Sequence, residues 1–307
     1  MPISVAYRPA TTITTGYMVA LDGWAAGAPG QTVESANSVV DAQGTEWYVT
    51  KLEGWSEAPD PRTSLTNRPG EHGAYDGAAF LTPRTLTIEG VAIATSRTAA
   101  WRARDILSSV CGDPRLGLST LVVTQAGYVN RRMLVRRGAV TKTAPMSAVA
   151  FRWSMLLVAP DPRRYADTQS TLSVGLAQPG ADGLVFSLVF PLVFGTGASG
   201  GGMTLTNTGT LATWPTWTVL GPTSGLTITN SVTGDRLAFD PAFSLAGGET
   251  VVIDTDAKTV LQSGVNRRDR LFTAQWFRLE PGDTSILFTA GSNPATQLTA
   301  SWRDAWT

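Results

Sequence analysis

The residues able to do chemistry in this 307-residue chain are few, and their scarcity is informative. His72 is the single histidine and Cys111 the single cysteine. His72 lies in Arg68-Pro-Gly-Glu-His72-Gly-Ala-Tyr75, a run with strong turn chemistry. A catalytic histidine would want a nucleophile and an orienting carboxylate beside it. Cys111 falls on the apolar face of a predicted helix. A structural or interface loop is the expectation for His72 and Tyr75. One cysteine and one histidine also cannot build a multi-ligand zinc site within one chain, and no intramolecular disulfide can form. No catalytic, cofactor-binding or metal-binding residue is assigned, and no cofactor is expected.

Three further patterns invite a chemical reading. Gly195-Thr-Gly197-Ala-Ser-Gly200 matches the dinucleotide fingerprint in form. That motif needs a following helix whose N-terminus faces the pyrophosphate, and an acidic residue about 20 positions on. Gly201-Gly-Met-Thr-Leu-Thr-Asn207 follows instead, a strand or loop, so the glycines read as a linker. Asp254-Thr-Asp256 offers two carboxylates for a cation or a glycosidase-type pair, with an acidic turn between strands as the default. Arg131, Arg132, Arg136 and Arg137 lie on one predicted strand, with Arg131 and Arg137 on one face and Arg132 and Arg136 on the other. No aromatic residues interleave them for base stacking, so pairing with carboxylates of a neighbouring subunit is the expectation. Trp214, Trp217, Trp302 and Trp306 suggest either a sugar-binding floor or core and interface aromatics.

The elements that carry these residues are mostly short strands. The chain is 43% hydrophobic with mean hydropathy +0.02, a folded composition. Formal net charge is zero, with 17 Lys and Arg against 14 Asp and Glu in residues 1–167 and 7 against 10 in 168–307. That asymmetry is too weak for a dedicated nucleic-acid binder. MPISVAYRPA has no charged region leading into an apolar run, so no secretory signal is expected, and no membrane span is read. The protein is expected to be made in a cytoplasm and to stay soluble or join an assembly.

Strands are predicted at 46–52, 84–94, 118–125, 128–137 and 148–158, with Val149, Phe151, Trp153, Met155 and Leu157 on one face of the last. Ala126-Gly127 is a plausible tight turn. One helix, 98–111, is expected from Ala99, Ala103, Ile106, Leu107 and Val110, capped by Ser96 or Thr98 and ended by Gly112 and Pro114. Strands resume at 203–206 and recur through 216–220, 226–230, 236–239, 250–254, 259–261, 272–279, 284–289 and 297–302. The pattern gives a mainly β protein: a first sandwich with one flanking helix over 1–167, a connecting segment over 168–202, and a second antiparallel sandwich over 203–307.

The connecting segment holds three copies of Leu-Val-Phe at a period of four, from Leu184 to Gly195. As a strand it projects Leu184, Phe186, Leu188, Phe190, Leu192 and Phe194 from one face, and Pro191 argues against a helix. Two readings stand: an extended apolar arm docked on a neighbouring surface, or a core strand of the following domain.

The chain resembles the distal tail proteins of siphophages, especially the minor tail proteins of actinobacterial phages. In the first half the resemblance rests on Arg68 to Tyr75, Arg84-Thr-Leu86-Thr-Ile88-Glu-Gly90, the Trp101 helix, Phe151-Arg-Trp153 and Ala159 to Tyr165. In the second it rests on the Leu-Val-Phe repeat, Asn207-Thr-Gly209, Pro215, Gly221-Pro222, Thr233-Gly234, Gly248-Glu249, Trp276 to Gly282 and Ser301-Trp302-Arg303. It implies a ring-forming first sandwich, usually hexameric, and a galectin-like second sandwich outside the ring. It further implies a non-enzymatic virion protein at the distal end of the tail, joining the tail tube protein to the tail-tip or baseplate hub. Tape measure protein and DNA would pass through its lumen without membrane contact or sequence-specific nucleic-acid binding. A glycan- or receptor-binding module of the tail tip is the alternative.

Overall fold

The computed structural model describes residues 17–21, 23–27, 39–125, 128–176, 201–291 and 295–307, and divides them between two compact units. The Leu-Val-Phe repeat and the Gly195–Gly200 run lie outside the described residues, as does the Ala126-Gly127 turn.

The first unit begins with a hairpin of β1 (Tyr17–Leu21) and β2 (Trp24–Gly27), followed by β3 (Val39–Val40) and β4 (Glu46–Glu53). An excursion of four short strands comes next: β5 (Pro61–Arg62), β6 (Leu65–Asn67), β7 (Ala74–Asp76) and β8 (Phe80–Leu81). Then come β9 (Arg84–Ile93), α1 (Arg97–Ser109), β10 (Ser119–Gln125), β11 (Arg131–Arg137), β12 (Lys142–Pro145), β13 (Ala150–Ala159) and β14 (Arg164–Ala166). Neighbouring strands run β2-β1-β10-β11-β13-β9-β4-β3, all antiparallel. β11 meets β13 only at Arg136 and Arg137, so the path folds at a corner into two facing layers.

Period-two alternation fills the space between the layers. Val19, Leu21, Leu121, Val123, Met133 and Val135 point in from one side, and Leu86, Ile88, Phe151, Trp153, Met155 and Leu157 from the other. At the centre Trp24 sits edge-on to Trp47 at 5.5 Å and to Trp153 at 5.2 Å, and Trp47 meets Phe151 at 6.0 Å. Gly90 faces this cluster from β9, beside a bulge in β4 between Val49 and Lys51. A Cβ there would lie 2.3 Å from the Trp153 ring, so only glycine lets the indole approach the strand this closely.

Helix α1 follows its sequence signals. The Ser96 side chain accepts from the Ala99 amide at 3.1 Å, and Ala99, Ala100, Ala103 and Leu107 are buried. Cys111, at φ 48°, and Gly112 turn the chain away, and Pro114 stops any continuation.

The second unit starts at Thr168, earlier than the 203 boundary expected from sequence, because Ser170–Gly175 is a strand paired along its whole length with Gln297–Trp302. One six-stranded sheet continues through Thr216–Leu220, Thr250–Asp254, Thr259–Gln262 and Val265–Asn266. The opposing five-stranded sheet is ordered Gly202–Asn207, Gly282–Thr289, Thr227–Asn230, Arg236–Phe239 and Leu271–Ala274. Trp217, Val219, Val251, Ile253, Leu298 and Ala300 from the first sheet pack on Leu205, Ile228, Leu237, Ile286 and Phe288 from the second. The strand expected over 272–279 ends at Ala274. Beyond it Phe277 and Leu279 enter the core from irregular chain, with Leu279 bridged to Thr213. The mainly β class, with one flanking α-helix among the described residues, is as the sequence indicated.

Candidate interaction surfaces

The excursion between β4 and β9 forms a two-stranded arm. β5 pairs with β8 and β6 with β7, and the arm closes at its base where the Thr82 amide and hydroxyl both donate to the Asp60 carbonyl at 2.9 Å. His72 lies in the turn at the tip and Tyr75 on the returning strand. No residue from Pro61 to Leu81 is buried, and Leu65, Tyr75 and Phe80 are 64%, 59% and 58% exposed. Arg62 lies over the Phe80 ring at 5.7 Å and Arg68 over Tyr75 at 5.1 Å. An isolated two-stranded ribbon is at best marginally stable in water, and this one leaves its large apolar side chains exposed.

The four arginines of β11 take different positions. Met133 and Val135 are buried, so Arg131 and Arg137 are at the two ends of the inward-facing row. Arg137 reaches the end of α1, where Nη1 donates to the Ser108 carbonyl at 3.0 Å and Nη2 to that of Gly112 at 3.3 Å. A cation on the last carbonyls offsets the negative end of the helix. Replacing Arg137 by Ala is expected to cost the first unit about 1 kcal/mol, read as a lower urea midpoint with an unchanged slope. On the opposite face Arg132 Nη2 donates to Thr120 Oγ1 at 3.0 Å, and Arg136 is exposed.

Arg131 lines a cleft of about 240 Å³ with Tyr17, Ser56, Gln125, Tyr128 and Arg164. Arg164 comes from β14, whose pairing with β11 sets Ala166 opposite Arg131 and Tyr165 opposite Arg132. Trp55 forms part of the wall, with the Arg164 guanidinium 5.6 Å from its ring centroid. Arg164 Nη2 donates to the Thr307 carbonyl, and Nε is buried without a hydrogen-bond partner. Burial first, then the positive fields of Arg131 and Arg84, bring the Arg164 pKa down to about 10.

Arg84 stands behind this wall. Its Nε donates to the Pro162 carbonyl at 3.0 Å, and Nη1 donates to those of Gly54 at 2.7 Å, Trp55 at 3.2 Å and Glu57 at 2.5 Å. Burial lowers its pKa, with Glu57 opposing. Neither Arg84 nor Arg164 is among the site residues expected from the sequence. Arg84 had a visible signal, since it shares the inward parity of Leu86 and Ile88 on β9. Arg164 had none, because its setting depends on chain segments distant in sequence.

In the second unit Asp254 Oδ1 accepts from the amides of Asp256 at 2.9 Å and Ala257 at 3.0 Å, the acidic turn taken as default. Trp217 is fully buried and Trp302 is 7% exposed, so neither floors a sugar patch. Trp214 and Trp276 are half-buried beneath Arg278 and Arg268, at 5.6 and 5.8 Å. Buried Asn207 ties the unit together: Nδ2 donates to the carbonyls of Leu211 and Leu279, and Oδ1 accepts from the Gly209 amide. Among the described residues no three His, Cys, Asp or Glu side chains gather as metal ligands, and no helix is long and apolar enough to cross a bilayer.

Residues 208–306 match the family model for the siphovirus-type tail component, C-terminal domain. The crystal structure of the Dit protein (gp 19.1) of phage SPP1, described as a paradigm of the hub adsorption apparatus in phages infecting Gram-positive hosts, is similar at a TM-score of 0.63 and 13% identity. That match covers 95% of this chain and 99% of the other. A component of the phage P2 baseplate in its activated conformation with calcium matches at a TM-score of 0.48 and 12% identity, over 93% and 97% of the two chains. No curated protein matches the sequence.

Proposed function

We propose, from the premise that this chain is a structural distal tail hub protein of a siphophage, that copies of it close into a ring at the end of the tail. The ring joins the tail tube protein to the tail-tip or baseplate hub, and tape measure protein and DNA pass through its lumen. Six subunits are the expected number, and the contacts are head-to-tail, since heterologous interfaces that close by rotation give rings. The role is architectural, with no catalytic step.

The observation that carries this reading is the exposed arm from Pro61 to Leu81. It presents Leu65, Tyr75 and Phe80 to solvent on a ribbon that cannot bury them itself. Removing ~25 cal/mol per Å² of apolar surface from water favours its docking on an adjacent subunit. The Leu-Val-Phe segment, with Leu184, Phe186, Leu188, Phe190, Leu192 and Phe194, is proposed as a second apolar contact, in cis or on the neighbouring subunit.

Light scattering and negative-stain imaging of the purified protein test the reading. Rings are expected at high concentration, and Leu65→Asp with Phe80→Asp is expected to reduce them to monomers while leaving thermal unfolding of the monomer unchanged. A wild-type chain that stays monomeric at every concentration, with no ring density in tail images, would overturn it.

A further inference from the structure

We propose that the cleft between Arg131 and Arg164 is a binding site for an oxyanion, a phosphate or carboxylate group held by the two guanidiniums. The proposal goes beyond the ring reading: its free-anion form does not depend on ring formation, and its neighbouring-copy form rests on that reading.

The donor set is one-sided. Two guanidiniums, the hydroxyls of Tyr17, Ser56 and Tyr128, and the Gln125 amide line the space, and none of the described lining residues is acidic. Tyr17 and Ser56 place their hydroxyls 3.4 Å apart, close enough to share one acceptor. Arg164 is held in place by Trp55 on its face and Thr307 at Nη2, while Nε is buried with no hydrogen-bond partner. Charge-assisted bonds from guanidiniums to an oxyanion are the strong kind. Arg84 does not share the ligand role, because it is not among the residues lining the cleft and its Nε and Nη1 are bonded to carbonyls behind the wall.

Two sources can supply the same chemistry: free phosphate, or a carboxylate side chain of a second copy of this chain. Calorimetric titration of the full chain with inorganic phosphate and, separately, acetate, each against chloride at equal ionic strength, tests the site. Saturable binding of one phosphate or acetate per chain is expected, weakened at least tenfold by Arg131→Gln and by Arg164→Gln. Ser56→Asp supplies an internal carboxylate at an exposed position, and should abolish binding of the free anion while raising the melting temperature. Repeating the titration on assembled rings separates the sources. Phosphate that still enters marks a free-anion site, and phosphate that is excluded marks one filled by the neighbouring copy. Binding no stronger than that of chloride, or a Ser56→Asp protein that is less stable and still binds phosphate, would overturn the proposal.

Discussion

Gly90→Ala is expected to remove about 3 kcal/mol or more from the first unit and to leave the second unit's unfolding transition in place. The added Cβ would meet the Tyr48 carbonyl at 2.0 Å and two atoms of the Trp153 indole at 2.3 and 2.5 Å. Neither neighbour can give way. Tyr48 is held in the β4–β9 ladder opposite Val91, and Trp153 is held edge-on by Trp24 and packed against Trp47. Overpacking of a rigid core usually costs ~1–3 kcal/mol, and contacts this short with backbone on one side fall at or above the top of that range. Guanidinium unfolding followed by tryptophan fluorescence would read the loss as a lower first midpoint. Trp153→Phe in the same chain frees the ring side but not the carbonyl side, so only partial rescue is expected. A Gly90→Ala protein with wild-type stability would mean that the β4 bulge moves to absorb the clash.

The same glycine shows where sequence patterning reaches its limit. Strands with one buried and one wet face announce themselves by alternation, as in Ala150–Ala159 and Gln297–Trp302, because the side-chain period is two. Helix α1 was legible for the matching reason, with an apolar row at helical spacing and Ser96 in place to cap it. Ser170–Gly175 gave no such signal. Its side chains are nearly all partly or fully exposed, and it is held by backbone pairing with Gln297–Trp302, which any sequence without proline can make. The arm strands failed to show for the same reason, since a ribbon with no buried side chain has no period to read. The 272–279 segment misled in the other direction. Its apolar residues reach the core from a bridge at Leu279 rather than from one continuous strand. Of the candidate surfaces, the arm tip was visible as turn chemistry around His72 and the β11 arginines as a charge cluster. Their division into a helix cap at Arg137 and a cleft wall at Arg131 depends on what lies opposite in space.

Arg84 carries the second large effect, and Arg84→Lys is the informative change. The guanidinium fork connects Pro162, at the turn leading into β14, with Gly54, Trp55 and Glu57, the stretch from which the arm departs. Lysine keeps the charge but offers a single nitrogen on a flexible stem, so it cannot reach carbonyls on both sides of the fork. Buried carbonyls left unpaired cost ~1–3 kcal/mol each. A net loss of about 3 kcal/mol is expected for Arg84→Lys, and no smaller a loss for Arg84→Leu, which removes every donor. The Gly54 turn cannot adjust to compensate. At φ +80° its Cα lies so close to β9 that a Cβ would stand 2.0 Å from the Thr85 carbonyl. The variant should also lose ring assembly at temperatures where its first unit is still folded, because the arm's root is released before the sandwich melts. Light scattering beside circular dichroism on one sample separates the two effects. Coincident loss of both signals would show that Arg84 holds the sandwich alone, and full assembly with a lowered melting temperature would show that the arm is anchored elsewhere.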